Sequence, residues 1–238
     1  MNRSRLTRIA LWLALAATAD ANRRHFHLNT AWLPHGVGNS IALILPELTE
    51  RFLDPPCASP TPDTVTALQA TLRAMIVDNP NYSFYLAPAI LGYVVSHPRF
   101  NIYKGEWAKI RFLGFGLDAI PHGTTAAALS LLIFDTLSEL ERRLPQTSAL
   151  VRLVHWTGAH REAFAAFVLA VVSAIWEGGE YLMQQSELRA RNYDYGEINM
   201  EWSLHDTFFD VLANFAGWAV ASCVRRPERR SWPRSRRG

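Results

Sequence analysis

Charge is scarce in this chain and cysteine scarcer. Of 238 residues, 19% are charged, and the two cysteines, Cys57 and Cys223, lie far apart. That excludes a disulfide framework and a Cys-x-x-Cys metal knuckle. There is no internal repeat, and no low-complexity segment apart from an arginine-rich end. Ser186 and Ser203 do not sit in a nucleophile elbow, so a soluble Ser-His-Asp hydrolase has no support. Lysine and arginine are missing altogether from three long apolar stretches, 112–134, 163–183 and 204–224.

What the chain has instead is apolar residues, 49% of the total, gathered into runs at 9–19, 41–45, 84–95, 112–134, 163–176 and 207–224. The run AFAAFVLAVVSAIW, 163–176, contains one serine and no charge. The pattern predicts an all-α fold, a polytopic membrane bundle of about five to six segments at 8–20, 30–46, 82–97, 112–134, 163–183 and 204–224. Several are shorter than the ~20 residues that cross a bilayer core, so tilt or re-entrant entry has to make up the length. Residues 1–224 read as one membrane-embedded domain. Within it, a Pro-rich loop and an amphipathic helix over 64–78 occupy 54–80, with Val65, Leu68, Leu72, Met75 and Ile76 at helical spacing.

The start combines Arg3, Arg5 and Arg8 with an apolar stretch and an Ala17-Thr18-Ala19 ending. A signal peptide and an uncleaved first membrane helix both fit, and five further apolar runs favour the helix. The tail after Val224 carries seven arginines and one glutamate, a net +6 against +3 for the whole chain, which leaves the body near −3. After an apolar helix, such a tail reads as a juxtamembrane anchor on anionic lipid, and no nucleic acid partner is expected. Basic residues at both ends place both termini in the cytoplasm, although Arg23, Arg24 and the 98–111 loop then fall on the outer side against the rule.

Into this apolar background the last three segments place acids in helical register. They are Asp118 and His122, four apart; Glu177 and Glu180, three apart; and Asp206, Asp210 and Asn214, with Gly217 continuing the stripe. If neighbouring helices alternate in direction, the three sets lie at one depth, roughly 9 Å below one surface at 1.5 Å per residue. Carboxylates crowded there need protonation, a base or a cation, and a divalent metal ion suits the surplus of oxygen ligands. The metal set would be Asp118, His122, Glu177, Glu180, Asp206 and Asp210. His122, Glu177 and Asp210 are the catalytic candidates, with His205 beside His122 as a proton carrier. Gly178 and Gly179 are expected to let a neighbouring helix or a substrate approach the backbone.

Structural roles compete at each position. Asp118 before Ile120-Pro121 fits a helix N-cap, and Ser203 with Asp206 fits a capping box. A lone His122 suits a hydrogen-bonded core, and Asn214 and Gly217 suit helix packing.

The order Asp118-x-x-x-His122, Glu177-x-x-Glu180, Asp206-x-x-x-Asp210-x-x-x-Asn214-x-x-Gly217 resembles that of the VanZ-like and YjdF-like bacterial inner-membrane proteins, over about 112–224. Ala119 replaces the lysine that often follows the first aspartate, and Pro121 is unusual before the histidine. The resemblance implies a small helical protein of the bacterial inner membrane, linked in the VanZ case to glycopeptide resistance, and no established reaction. Three functions follow as expectations. The first is an envelope membrane protein whose buried acid/His site binds a cation or an amphiphilic, lipid-linked ligand. The others are a metal-dependent membrane hydrolase or transferase acting on a lipid-like substrate, and an ion- or proton-coupled transporter.

Overall fold

The computed structural model describes residues 3–26, 34–53, 63–196, 198 and 201–225. It is all-helical, with eight α-helices among the described residues: α1 (Arg3–Phe26), α2 (Asn39–Phe52), α3 (Thr64–Ile76), α4 (Tyr82–Val94), α5 (Ala119–Arg143), α6 (Val151–Ala159), α7 (Arg161–Ala190) and α8 (Leu204–Val224). The Pro-rich loop with Cys57, and the arginine tail beyond Arg225, lie outside the described residues.

α5 is the central helix. It packs most extensively on α8 and also touches α3, α4, α6 and α7. The α5–α8 seam is built from small residues. A Cβ on Gly217 would overlap the Gly123 carbonyl oxygen, and one on Gly123 would sit 3.2 Å from the Ala213 carbonyl oxygen. Absent side chains let the two backbones meet, the device that brings helices together where lipid removes the hydrophobic drive. Further along, Phe134, Ala165 and Ala221 close a core shared by α5, α7 and α8. Gly123 and Phe134 of α5 meet α8 in ascending order, so α5 and α8 run parallel. α7 runs against them, with Glu177 on Thr207 and Glu162 on Trp218. The alternation expected from the sequence is present.

Helix starts follow local chemistry. Asp63 Oδ1 accepts the Thr66 N–H at 2.7 Å, and Ser203 Oγ accepts the Asp206 N–H at 3.1 Å. Before α5, a two-stranded hairpin pairs Arg111–Phe112 with Phe115–Gly116. Its turn runs through Leu113 and Gly114, both at positive φ, and the Phe209 ring fills the space where a Gly114 side chain would go.

Several boundaries move. α5 begins at Ala119, not at residue 112, because the hairpin takes the preceding residues. The stretch 135–162, between two of the apolar segments, contains the last two turns of α5 and the whole of α6. α7 does not stop near Met183 but continues straight through Gly178-Gly179 to Ala190. Two glycines cost only about 2 kcal/mol in a helix interior, and the following Gln, Glu, Leu and Arg residues are good helix formers.

The count of membrane segments also changes. Among the described residues two helices, α7 and α8, are long and apolar enough to cross a bilayer, not five to six. α2 and α4, at 14 and 13 residues, reach only about 20 Å. α1 has the length, but Arg8 and Asn22 are buried within it and charge flanks its apolar part. Arg8 is turned into the bundle. It donates to the Leu43 carbonyl and to Glu47 at 2.5 and 2.8 Å, tying α1 to α2 above a core of Leu11, Leu15, Leu43, Ile90 and Tyr93. On α3, Ala67, Ala70 and Thr71 face the bundle while Val65, Leu68 and Leu72 point outward; only Met75 and Ile76 of its apolar stripe are buried.

Candidate functional site

A cavity of about 240 Å³ opens between α4, α5, α7, α8 and the segment that follows α4. Asp118, His122, Glu180, Asp206, Asp210 and Asn214 all line it, so six of the residues singled out from the sequence meet in one space. The parallel start of α5 and α8 brings the first and third clusters level, and the antiparallel α7 delivers Glu180 to them.

Each side chain is held by a different partner. Asp118, 8% exposed, turns one oxygen to the Ala119 N–H at 2.9 Å and is the N-cap of α5. The structural role for this residue is therefore real, and it coexists with a place in the cavity wall. Asp206 pairs with Arg111 at 3.3 Å. Glu180 accepts the Trp176 indole N–H at 2.8 Å. Asn214 donates to the Ser173 hydroxyl at 2.9 Å. Asp210 is 6% exposed and has His122 Nε2 at 3.6 Å from one oxygen. It makes no hydrogen bond among the described residues.

Glu177 is the member that does not join. Its carboxylate is buried and accepts the Thr207 hydroxyl at 2.6 Å, between α7 and α8 and outside the cavity lining. Gly178 and Gly179 are exposed with open space where their side chains would be, so no neighbouring helix among the described residues approaches the backbone there. The close approach expected at that pair occurs at Gly217 instead. His205 is exposed, its ring 4.9 Å from that of Phe209, and does not reach the cavity.

The dispersal of partners bears on the metal expectation. Among the described residues no three of His, Cys, Asp and Glu are placed to hold a metal ion. The physical reason is the list of engagements above. Asp118 is committed to its own helix start, Asp206 to a guanidinium, Glu177 to a hydroxyl and Glu180 to an indole. Five of the six predicted ligands line the cavity, and no three of them converge on one point.

Four contributors were missed. Tyr103 reaches in from the segment after α4 and donates its hydroxyl to the Gly92 carbonyl at 2.9 Å. Burial, with Asp118, Glu180 and Asp210 nearby, pushes its phenol well above the usual range, so it stays a neutral donor. Asn101, whose Oδ1 accepts the Tyr103 N–H at 2.9 Å, fixes that segment. Glu201 lines the cavity and pairs with Lys104 at 3.3 Å. An irregular segment carries no periodic signal of depth, which is why 98–111 read as a plain loop. Ser173 is different. As the single polar residue in the run 163–176, it was itself a visible signal.

No family model matches the chain, and no curated protein or solved structure matches it.

Proposed function

We propose that this chain is an integral membrane protein of the bacterial envelope whose acid/His cavity binds an amphiphilic, lipid-like ligand. The observation that carries the reading is the composition of that cavity. Five carboxylates and His122 line it together with Leu129, Leu169 and Val172. A site that is polar at one end and apolar at the other suits a ligand built the same way.

Membrane residence is supported by the outer surface. Phe167, Ile175 and Leu182 on α7, and Phe208, Val220 and Val224 on α8, are between 59% and 71% exposed. A surface of that kind is unfavourable in water and ordinary against acyl chains. The likeness of the acid and Asn-Gly pattern to VanZ-like and YjdF-like proteins points the same way, to the inner membrane. A metal-dependent hydrolase or transferase would need three ligands converging on one point, and the geometry does not favour it.

The test is to express the tagged chain in bacteria, separate membranes, and wash them with alkaline carbonate before detergent extraction. The protein should stay with the membranes, and native mass spectrometry in detergent should find a bound lipid that the Val172→Trp variant, with the cavity filled, has lost. Release by carbonate, or a lipid retained unchanged in that variant, would overturn the reading.

A further inference from the structure

The charge of the cavity is unbalanced in a way that selects among amphiphiles. Five carboxylates line it: Asp118, Glu180, Glu201, Asp206 and Asp210. Two have a permanent cation beside them, Glu201 with Lys104 and Asp206 with Arg111. The other three are met by an amide N–H, an indole N–H and an imidazole. Asp210 is the most telling, because it is buried, opens onto the cavity and makes no hydrogen bond among the described residues. Beyond the His122 ring at 3.6 Å, the described residues give this carboxyl group no partner, which leaves it available to a ligand in the cavity.

The apolar end lies along the same helices. From His122 to Leu129 is seven residues of α5, and from Glu180 back to Val172 is eight of α7, or roughly 10–12 Å along each axis. The aromatic residues Tyr103 and Trp176 are also part of the cavity lining, and aromatic rings attract a cation more than a neutral group.

Resting on the ligand-binding reading above, we propose that the ligand is a cationic amphiphile: an amine-bearing head held by Asp118, Glu180 and Asp210, and an acyl or alkyl chain lying on Leu129, Leu169 and Val172. An ammonium donates up to three hydrogen bonds at about 2.8 Å, so its acceptors stand further apart than metal ligands at about 2 Å, which suits carboxylates too widely spaced to hold a metal ion. An anionic lipid head would add charge of the wrong sign to an already acidic space. A neutral head would leave Asp210 with the His122 ring as its one neighbouring base among the described residues.

The experiment follows thermal unfolding of the purified full chain in a fixed concentration of dodecyl maltoside, titrated with decylamine, decanol, ethylamine or Mg²⁺. Decylamine should stabilise the protein saturably, and decanol and ethylamine much less. Losing one charge-assisted hydrogen bond should weaken the apparent decylamine affinity about tenfold or more in Asp210→Asn and in Glu180→Gln. Glu177→Gln, outside the cavity, should respond as the parent does. If Asp210→Asn does not fold, Glu180→Gln decides alone. Equal responses to decylamine and decanol in every variant, abolished by Val172→Trp, would overturn the charge selection while leaving the amphiphile site intact. Stabilisation by Mg²⁺ but not by decylamine would overturn it in favour of a small ion. Should neither amphiphile act on the parent and no lipid co-purify, the ligand-binding reading falls with it.

Discussion

Gly217 and the pair Gly178-Gly179 are chemically identical residues with opposite consequences. At Gly217 any side chain collides with the α5 backbone, which cannot yield without separating the helices. Gly217→Leu is expected to cost at least the 1–3 kcal/mol typical of overpacking, read as a lower unfolding temperature in detergent. At Gly178 and Gly179 nothing stands in the way and the backbone is helical. Gly178→Ala should therefore stabilise by about 0.5–1 kcal/mol, through lost freedom of the unfolded chain. Glu177 and Asp210 form a second contrasting pair. Thr207→Val leaves the buried Glu177 carboxylate without its donor and should destabilise by about 1–3 kcal/mol, with little effect on ligand response. Asp210→Asn should do the reverse, because its carboxylate has no hydrogen bond to lose among the described residues.

Among the elements, α1 shows how a stretch with the composition of a targeting segment acts as part of a core. One face of it, Leu11, Leu15, Thr18 and Asn22, is buried, and Arg8 bridges to α2. Arg8→Met should cost about 1–3 kcal/mol, below the cost of a fully buried pair because Glu47 remains partly solvated. Partial restoration by Glu47→Gln in the same chain would show that the pair, and not Arg8 packing alone, is responsible. α7 teaches a different lesson. The glycines expected to admit a neighbour lie in mid-helix, and the end comes 11 residues after Gly179, beyond a polar turn in which Gln184 donates to the Trp202 carbonyl. Tertiary contact on both sides of the pair outweighs the local preference.

For the whole molecule, the expected arrangement has the α8 C-terminus at the cytoplasmic face. Arg225, the first residue of the basic tail, pairs with Asp135 at 2.6 Å and caps the far end of the bundle from the acids. Cys223 is exposed beside it and, with Cys57→Ser, becomes a reporter of orientation. A membrane-impermeant maleimide should label it in inverted vesicles and not in intact cells. Labelling from outside would reverse the orientation and leave the grouping of the acids unchanged, since that grouping depends only on the relative directions of α5, α7 and α8.

Much of the molecule was determined by its sequence alone. Helical class, the bounds of α8, the cap at Ser203 and the placing of Asp118, His122, Glu180, Asp206, Asp210 and Asn214 around one cavity all follow from residue type and spacing. Side chains three and four apart must share a helix face, and alternating helices must bring matching depths together. What spacing does not encode is the rotation of each helix about its axis and the path of irregular segments. Those decisions belonged to packing. The Gly123–Gly217 contact sets how closely α5 meets α8, and so how α8 is turned. That rotation directs Asp210 into the cavity while Thr207 takes up Glu177 behind it. Tyr103 and Asn101 arrive from a segment without periodicity, held there by hydrogen bonds to backbone groups far from any motif. The acids were therefore legible as a set, but the division between a cavity-facing Asp210 and a packed Glu177 existed only once two backbones had come into contact.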